Sequence, residues 1–200
     1  MCYKIWEIDT RKVPLEKLFK WCRRHHGVDR ILFGLPTRMK KRKLCNEKQV
    51  GNALRLFRDF IIETHEVRSW PGVDYFEGSR PIFVVKITDD VVRAVINAGP
   101  YLHHWSISNP TPLPEDLCLF RQGARFPTLT SCAHEDLAWL VSNKTVRLDG
   151  CIPSDDKPEQ MFYSGPLFCD KVAPCRFRSM KEVVKHCLLN QRKAATHSAA

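Results

Sequence analysis

The chain alternates short apolar segments with charged ones, and the spacing of the apolar positions predicts most of its elements. Tyr3 to Ile8 mixes aromatic and β-branched residues with Lys4 and Glu7, the pattern of a half-buried strand. A helix is predicted next. Pro14 suits a first helical turn, Leu15, Leu18, Phe19 and Cys22 recur at spacings of three and four, and Gly27 stands where a left-handed cap belongs. Arg30 to Leu35 reads as a second strand ended by Gly34 and Pro36.

Asn46 and Gln49 have the spacing of a capping box, and Val50, Ala53, Leu54, Phe57, Phe60 and Ile61 then predict a long helix reaching about Glu66. Ile82 to Ile87 is a nearly unbroken apolar run, as expected of a strand covered on both faces. Thr88, with Asp89 and Asp90 behind it, starts a helix that Gly99 and Pro100 stop. Tyr101 to Pro114 is predicted to be a long loop with room for a strand at His104 to Ile107. Leu117 to Phe120 and Thr128 to Ser131 would pair across a turn at Gly123, with a short helix from Ala133 to Val141 behind them. Ser179 and Glu182 form a second capping box that opens a last helix.

This rhythm predicts an α+β fold, a mixed β-sheet with about four to five helices in a single domain over residues 1–192, followed by a short tail at 193–200. With 200 residues, of which 44% are hydrophobic and 27% charged, the chain can bury one substantial core. No apolar run approaches the roughly 18 residues that a membrane span requires. Lys4, Glu7 and Asp9 interrupt any apolar stretch near the start, which favours a cytoplasmic protein.

Charge changes the picture. The formal balance is +10, and residues 1–70 carry 17 basic against 8 acidic side chains, while 71–150 carry 7 against 9. Arg38, Lys40, Lys41, Arg42 and Lys43 form the densest cationic stretch, and Arg23 and Arg24 lie with Lys17 and Lys20 on the polar side of the first predicted helix. Such cations, gathered on one surface, would neutralise several phosphates and bind nucleic acid with strong salt dependence and little base preference. An acidic protein partner would use the same surface.

Nine cysteines and eight histidines raise the question of a metal, yet no C-x-x-C pair is present. The nearest groupings are Cys22 with His25 and His26, Cys132 with His134, and Cys169, Cys175, His186 and Cys187. Buried thiols and surface imidazoles account for them, so no metal or cofactor is assigned. The densest set of reactive side chains is Ser131, Cys132, His134, Glu135 and Asp136 at a predicted strand-to-helix junction, where a helix start would favour a thiolate beside an imidazole. With His103 and His104 of the polar loop they make a candidate catalytic cleft. Phosphate-loop, dinucleotide, hydrolase-elbow and zincin motifs are absent. Nucleic-acid binding is therefore the leading expectation, with a small enzyme and a regulatory module without catalysis as the alternatives.

Overall fold

The computed structural model describes residues 2–34, 38–39, 43–44, 51–52, 54–67, 80–105, 113–124, 126–132 and 135–158, and ten strands and two α-helices are delimited among these described residues. Strand β1 (Lys4–Ile8) leads through a turn into helix α1 (Leu15–His26). Leu15, Leu18, Phe19 and Cys22 are the buried stripe of α1, and Gly27 closes it in the left-handed region at φ 58° with its N–H donated to the Arg23 carbonyl. The chain continues into β2 (Arg30–Gly34), then a two-stranded hairpin of β3 (Arg38–Met39) and β4 (Lys43–Leu44). Next come β5 (Ile61–Val67), β6 (Arg80–Lys86) and helix α2 (Asp89–Ala98). The Thr88 hydroxyl accepts from the Val91 N–H, so the predicted cap of α2 is present. A 3-10 turn at Leu102–His104 precedes β7 (Glu115–Phe120), β8 (Leu129–Cys132), β9 (Leu137–Ser142) and β10 (Cys151–Pro153).

Eight strands form one sheet in the order β10-β1-β9-β8-β7-β2-β6-β5, and every pairing in it is antiparallel. The expected mixed sheet with four to five helices is corrected accordingly: a large antiparallel sheet dominates, and two α-helices lie among the described residues. The first error lies at 46–66. Residues 51–52 and 54–55 are helical, and Leu54 and Phe57 are core residues as predicted, but the β-branched run from Ile61 pairs with β6 as a strand. The second lies at 133–141, where Leu137, Leu140 and Val141 match a helical spacing yet belong to β9. Ala138 to Ser142 are all buried, and a strand covered on both faces loses the alternation that would identify it. His104 belongs to the 3-10 turn and not to a strand. The capping boxes at Asn46 and Ser179 lie outside the described residues.

Helices α1 and α2 pack on one face of the sheet. Their buried residues join Ile8, Ile31, Phe33, Phe83, Val85, Leu117, Leu119, Leu129 and Leu140 in one core. Phe33 is central to it, with ring centroids 4.7 Å from Phe57 and 5.7 Å from Phe83. Alternation sends Ile5, Cys132, Trp139 and Val141 to the opposite face, where they form a second cluster with Phe126. An ion pair of 2.7 Å between Arg23 and Asp89 links the helices. No helix among the described residues is long and apolar enough to cross a membrane.

Candidate functional site

The apolar stripe of α1 turns inward, which leaves Lys17, Lys20, Arg23, Arg24 and His25 exposed along the outer side of the helix. Arg23 is engaged by Asp89, whereas Lys17, Lys20 and Arg24 make no ion pair among the described residues. Of the other sequence-predicted cations, Arg38 and Lys43 fall on the β3–β4 hairpin, and Lys40, Lys41 and Arg42 lie outside the described residues.

At the C-terminal end of α1 the surface opens into a cleft of about 440 Å³. Three pieces of chain distant in sequence build it. Helix α1 brings His25, His26 and Gly27, the β7–β8 turn brings Arg121, Gly123, Ala124 and Phe126 to Thr128, and the end of β9 brings Val141, Asn143 and Lys144, with Tyr3 at the rim. The turn is pinned from behind: the Gln122 N–H donates to Asp29 Oδ1 at 2.9 Å, and Arg30 Nη2 donates to Gln122 Oε1 at 2.9 Å. Asp29 is in turn paired with Arg30 at 3.1 Å. Gly123 takes a positive φ of 77° at the tip.

Every charged group that lines the cleft among the described residues is cationic or titrates to a cation: His25, His26, Arg121 and Lys144. His26 Nε2 and Ser142 Oγ are 2.9 Å apart, and Ser142 Oγ also accepts from the Lys144 N–H at 2.8 Å. Burial, with His25, Lys144 and Arg121 close by, holds the His26 imidazole below its ordinary titration range. The α1 dipole opposes an anion here with a charge equivalent to about −0.5. Arg121 and Lys144 supply two full positive charges, so attraction prevails. Aromatic surface completes the site: Tyr3, 38% exposed, meets the largely buried Phe126 edge to face at 5.8 Å.

The candidate catalytic residues are not gathered in this cleft. Cys132 is buried on β8, packed with Ile5 and Trp139, and the chain re-enters the sheet at Leu137 as β9 where a helix was predicted. Ser131 Oγ donates to the Leu117 carbonyl at 3.1 Å. Glu135 is exposed in the turn between β8 and β9, and His134 lies outside the described residues. His104 stands in the turn after α2 with its ring 4.1 Å from that of His103. His104 Nδ1 accepts the Tyr101 N–H at 3.4 Å, while His103 Nδ1 lies 3.1 Å from the Thr10 carbonyl. Thr10 Oγ reaches Asp136 at 3.4 Å, and Asp136 is also paired with Arg11. This network ties the β1–α1 turn, the turn after α2 and the β8–β9 turn together.

Cys22 belongs to the core while His25 is exposed, so the Cys22, His25 and His26 grouping points in different directions. No group of three or more potential metal ligands occurs among the described residues. Sequence reasoning missed Tyr3, Arg121 and Lys144, which no local pattern connects; the one available signal was His25 and His26 just before the Gly27 cap. Comparison with known proteins finds no matching family model, no matching curated protein and no matching solved structure.

Proposed function

We propose that this protein binds nucleic acid, using the outer side of α1 and the cleft at its end. The observation that carries the reading is the cleft lining: Arg121, Lys144, His25 and His26 converge there with no carboxylate among the described lining residues. Lys17, Lys20 and Arg24 extend the positive surface along the helix. Arg38, Lys40, Lys41, Arg42 and Lys43 add to it through net charge. An acidic protein partner is the second candidate for such a surface, but exposed Tyr3 beside the cations favours bases, which stack on aromatic rings while phosphates meet Lys and Arg.

The test is fluorescence anisotropy with a labelled single-stranded oligonucleotide across a salt series. Affinity should drop steeply between about 50 and 200 mM salt, with each phosphate contact adding about 0.7 to the log–log slope. The variant Lys17→Glu, Lys20→Glu, Arg24→Glu should lower both affinity and slope. Its three side chains are exposed, so an unchanged thermal transition will show that it folds. Binding that is flat with salt and unaltered in this variant would refute the assignment.

A further inference from the structure

We infer that the cleft seats a single unpaired nucleotide, with its phosphate between Arg121 and Lys144 and its base against Tyr3. This rests on the nucleic-acid reading and narrows it to single strands. About 440 Å³ lies within the range of small-molecule sites and would enclose one nucleotide, whereas a base pair within a duplex could not enter a recess bounded by the end of α1, the β7–β8 turn and the end of β9.

A duplex contacted only at its phosphates would need cations and no aromatic ring, but here the ring and the cations share one recess. Tyr3 is backed by Phe126 at 5.8 Å, which holds its ring in place while leaving an exposed side for a base. Arg121 and Lys144 are exposed and make no ion pair among the described residues, so both are available to a phosphate. At Gly27 a Cβ would stand 3.8 Å from Arg121 Cδ, so the Arg121 stem runs close by the end of the helix.

The two imidazoles differ in their surroundings. His26 is held at Ser142 and belongs to the wall, while exposed His25 lies over Trp21 with ring centroids 4.8 Å apart. Trp21 also lies 5.3 Å from His26, which places an indole reporter behind the site.

The experiment compares a single-stranded oligonucleotide, its duplex and a nucleoside monophosphate against the full chain, in the wild type and in the variants Arg121→Gln/Lys144→Gln and Tyr3→Leu. The single strand should bind about tenfold or more tighter than the duplex at equal salt, the difference that one stacked base supplies. The monophosphate should alter the fluorescence of the wild type and not that of Trp21→Phe, whose binding to the oligonucleotide should persist. Arg121→Gln/Lys144→Gln should lose the monophosphate response and lower the salt slope by about 1.4. Tyr3→Leu should erase the preference for single strands while keeping most of the slope. Should single strand and duplex bind equally, and both cleft variants match the wild type, the nucleotide seat is overturned while polyanion binding along α1 stands. Should the wild type bind neither strand nor duplex, the nucleic-acid reading itself fails. Inorganic phosphate giving the full monophosphate response would overturn the base contact.

Discussion

His26 Nε2 lies 2.9 Å from Ser142 Oγ, which fastens the end of α1 to the end of β9 across 116 residues of sequence. Because Ser142 Oγ also accepts from the Lys144 N–H, the same hydroxyl shapes the loop that presents Lys144 to the cleft.

The lowered His26 pKa makes stability depend on pH in a defined direction. Above the ordinary imidazole range, folded and unfolded chains both hold a neutral His26, and no difference arises. As pH falls through the unfolded value near 6.5, the unfolded chain takes up a proton that the folded one resists, so stability drops until the folded imidazole titrates as well. Chemical denaturation at pH 7.5 and 5.5 should show this loss, and His26→Gln should reduce it. A bound phosphate would offset it by favouring the protonated ring. Equal pH dependence in His26→Gln and wild type would remove His26 as the cause.

Phe33→Ala should destabilise the fold by about 3–5 kcal/mol, because the ring is fully buried between Phe57 and Phe83 and its removal leaves a cavity that strands on either side cannot close. Urea midpoints would measure this, with a loss below about 1 kcal/mol counting against the packing described.

Two glycines separate backbone strain from crowding. Gly27→Ala keeps a residue at φ 58° where its Cβ would have ordinary contact with Arg121, so the cost should be about 1–2 kcal/mol from conformation alone. Gly150→Ala adds a Cβ 2.8 Å from Val13 Cγ2 at φ 88°, so it should cost more than Gly27→Ala. Equal losses would mean that the Val13 contact relaxes freely.

Thiol labelling should follow burial. Burial pushes the Cys22 and Cys118 thiols far up, and Cys151 up to about 11, while Cys2 is exposed. Among the described cysteines, mapping of alkylated peptides by mass spectrometry should find Cys2 modified first, Cys151 later, and Cys22 and Cys118 only with unfolding. Early labelling of Cys118 would contradict its place on β7.

Local signals were sufficient where one face of an element is wet. The stripe and glycine stop of α1 and the Thr88 cap of α2 could be read from residue spacing, while β7 and β8, buried on both faces, were legible from the turn at Gly123 between their apolar runs. Reading failed at β9, whose residues are covered on both sides, and at β5, where Phe60 and Ile61 extend the spacing of Leu54 and Phe57 by coincidence. Chemistry was less legible than fold. Arg23 and Arg24 were identified by composition, but Tyr3, Arg121 and Lys144 become neighbours of His25 only because the sheet order places the chain segments that carry them at the end of α1. The thiol–imidazole reading of Cys132 depended on a helix start that the sheet replaces with the β8–β9 hairpin.

Strand β1 is held between β9 and β10, with Lys4 opposite Ser142 and Ile8 opposite Cys151. During synthesis it therefore leaves the ribosome well before either neighbour exists, and at the usual pace of translation it waits about 7–27 s for β9 to be made. A nascent chain stalled in that interval displays Ile5 and Ile8 on an unpaired edge, open to chaperones or to another copy's strands, so slow codons before residue 137 should lower the soluble yield.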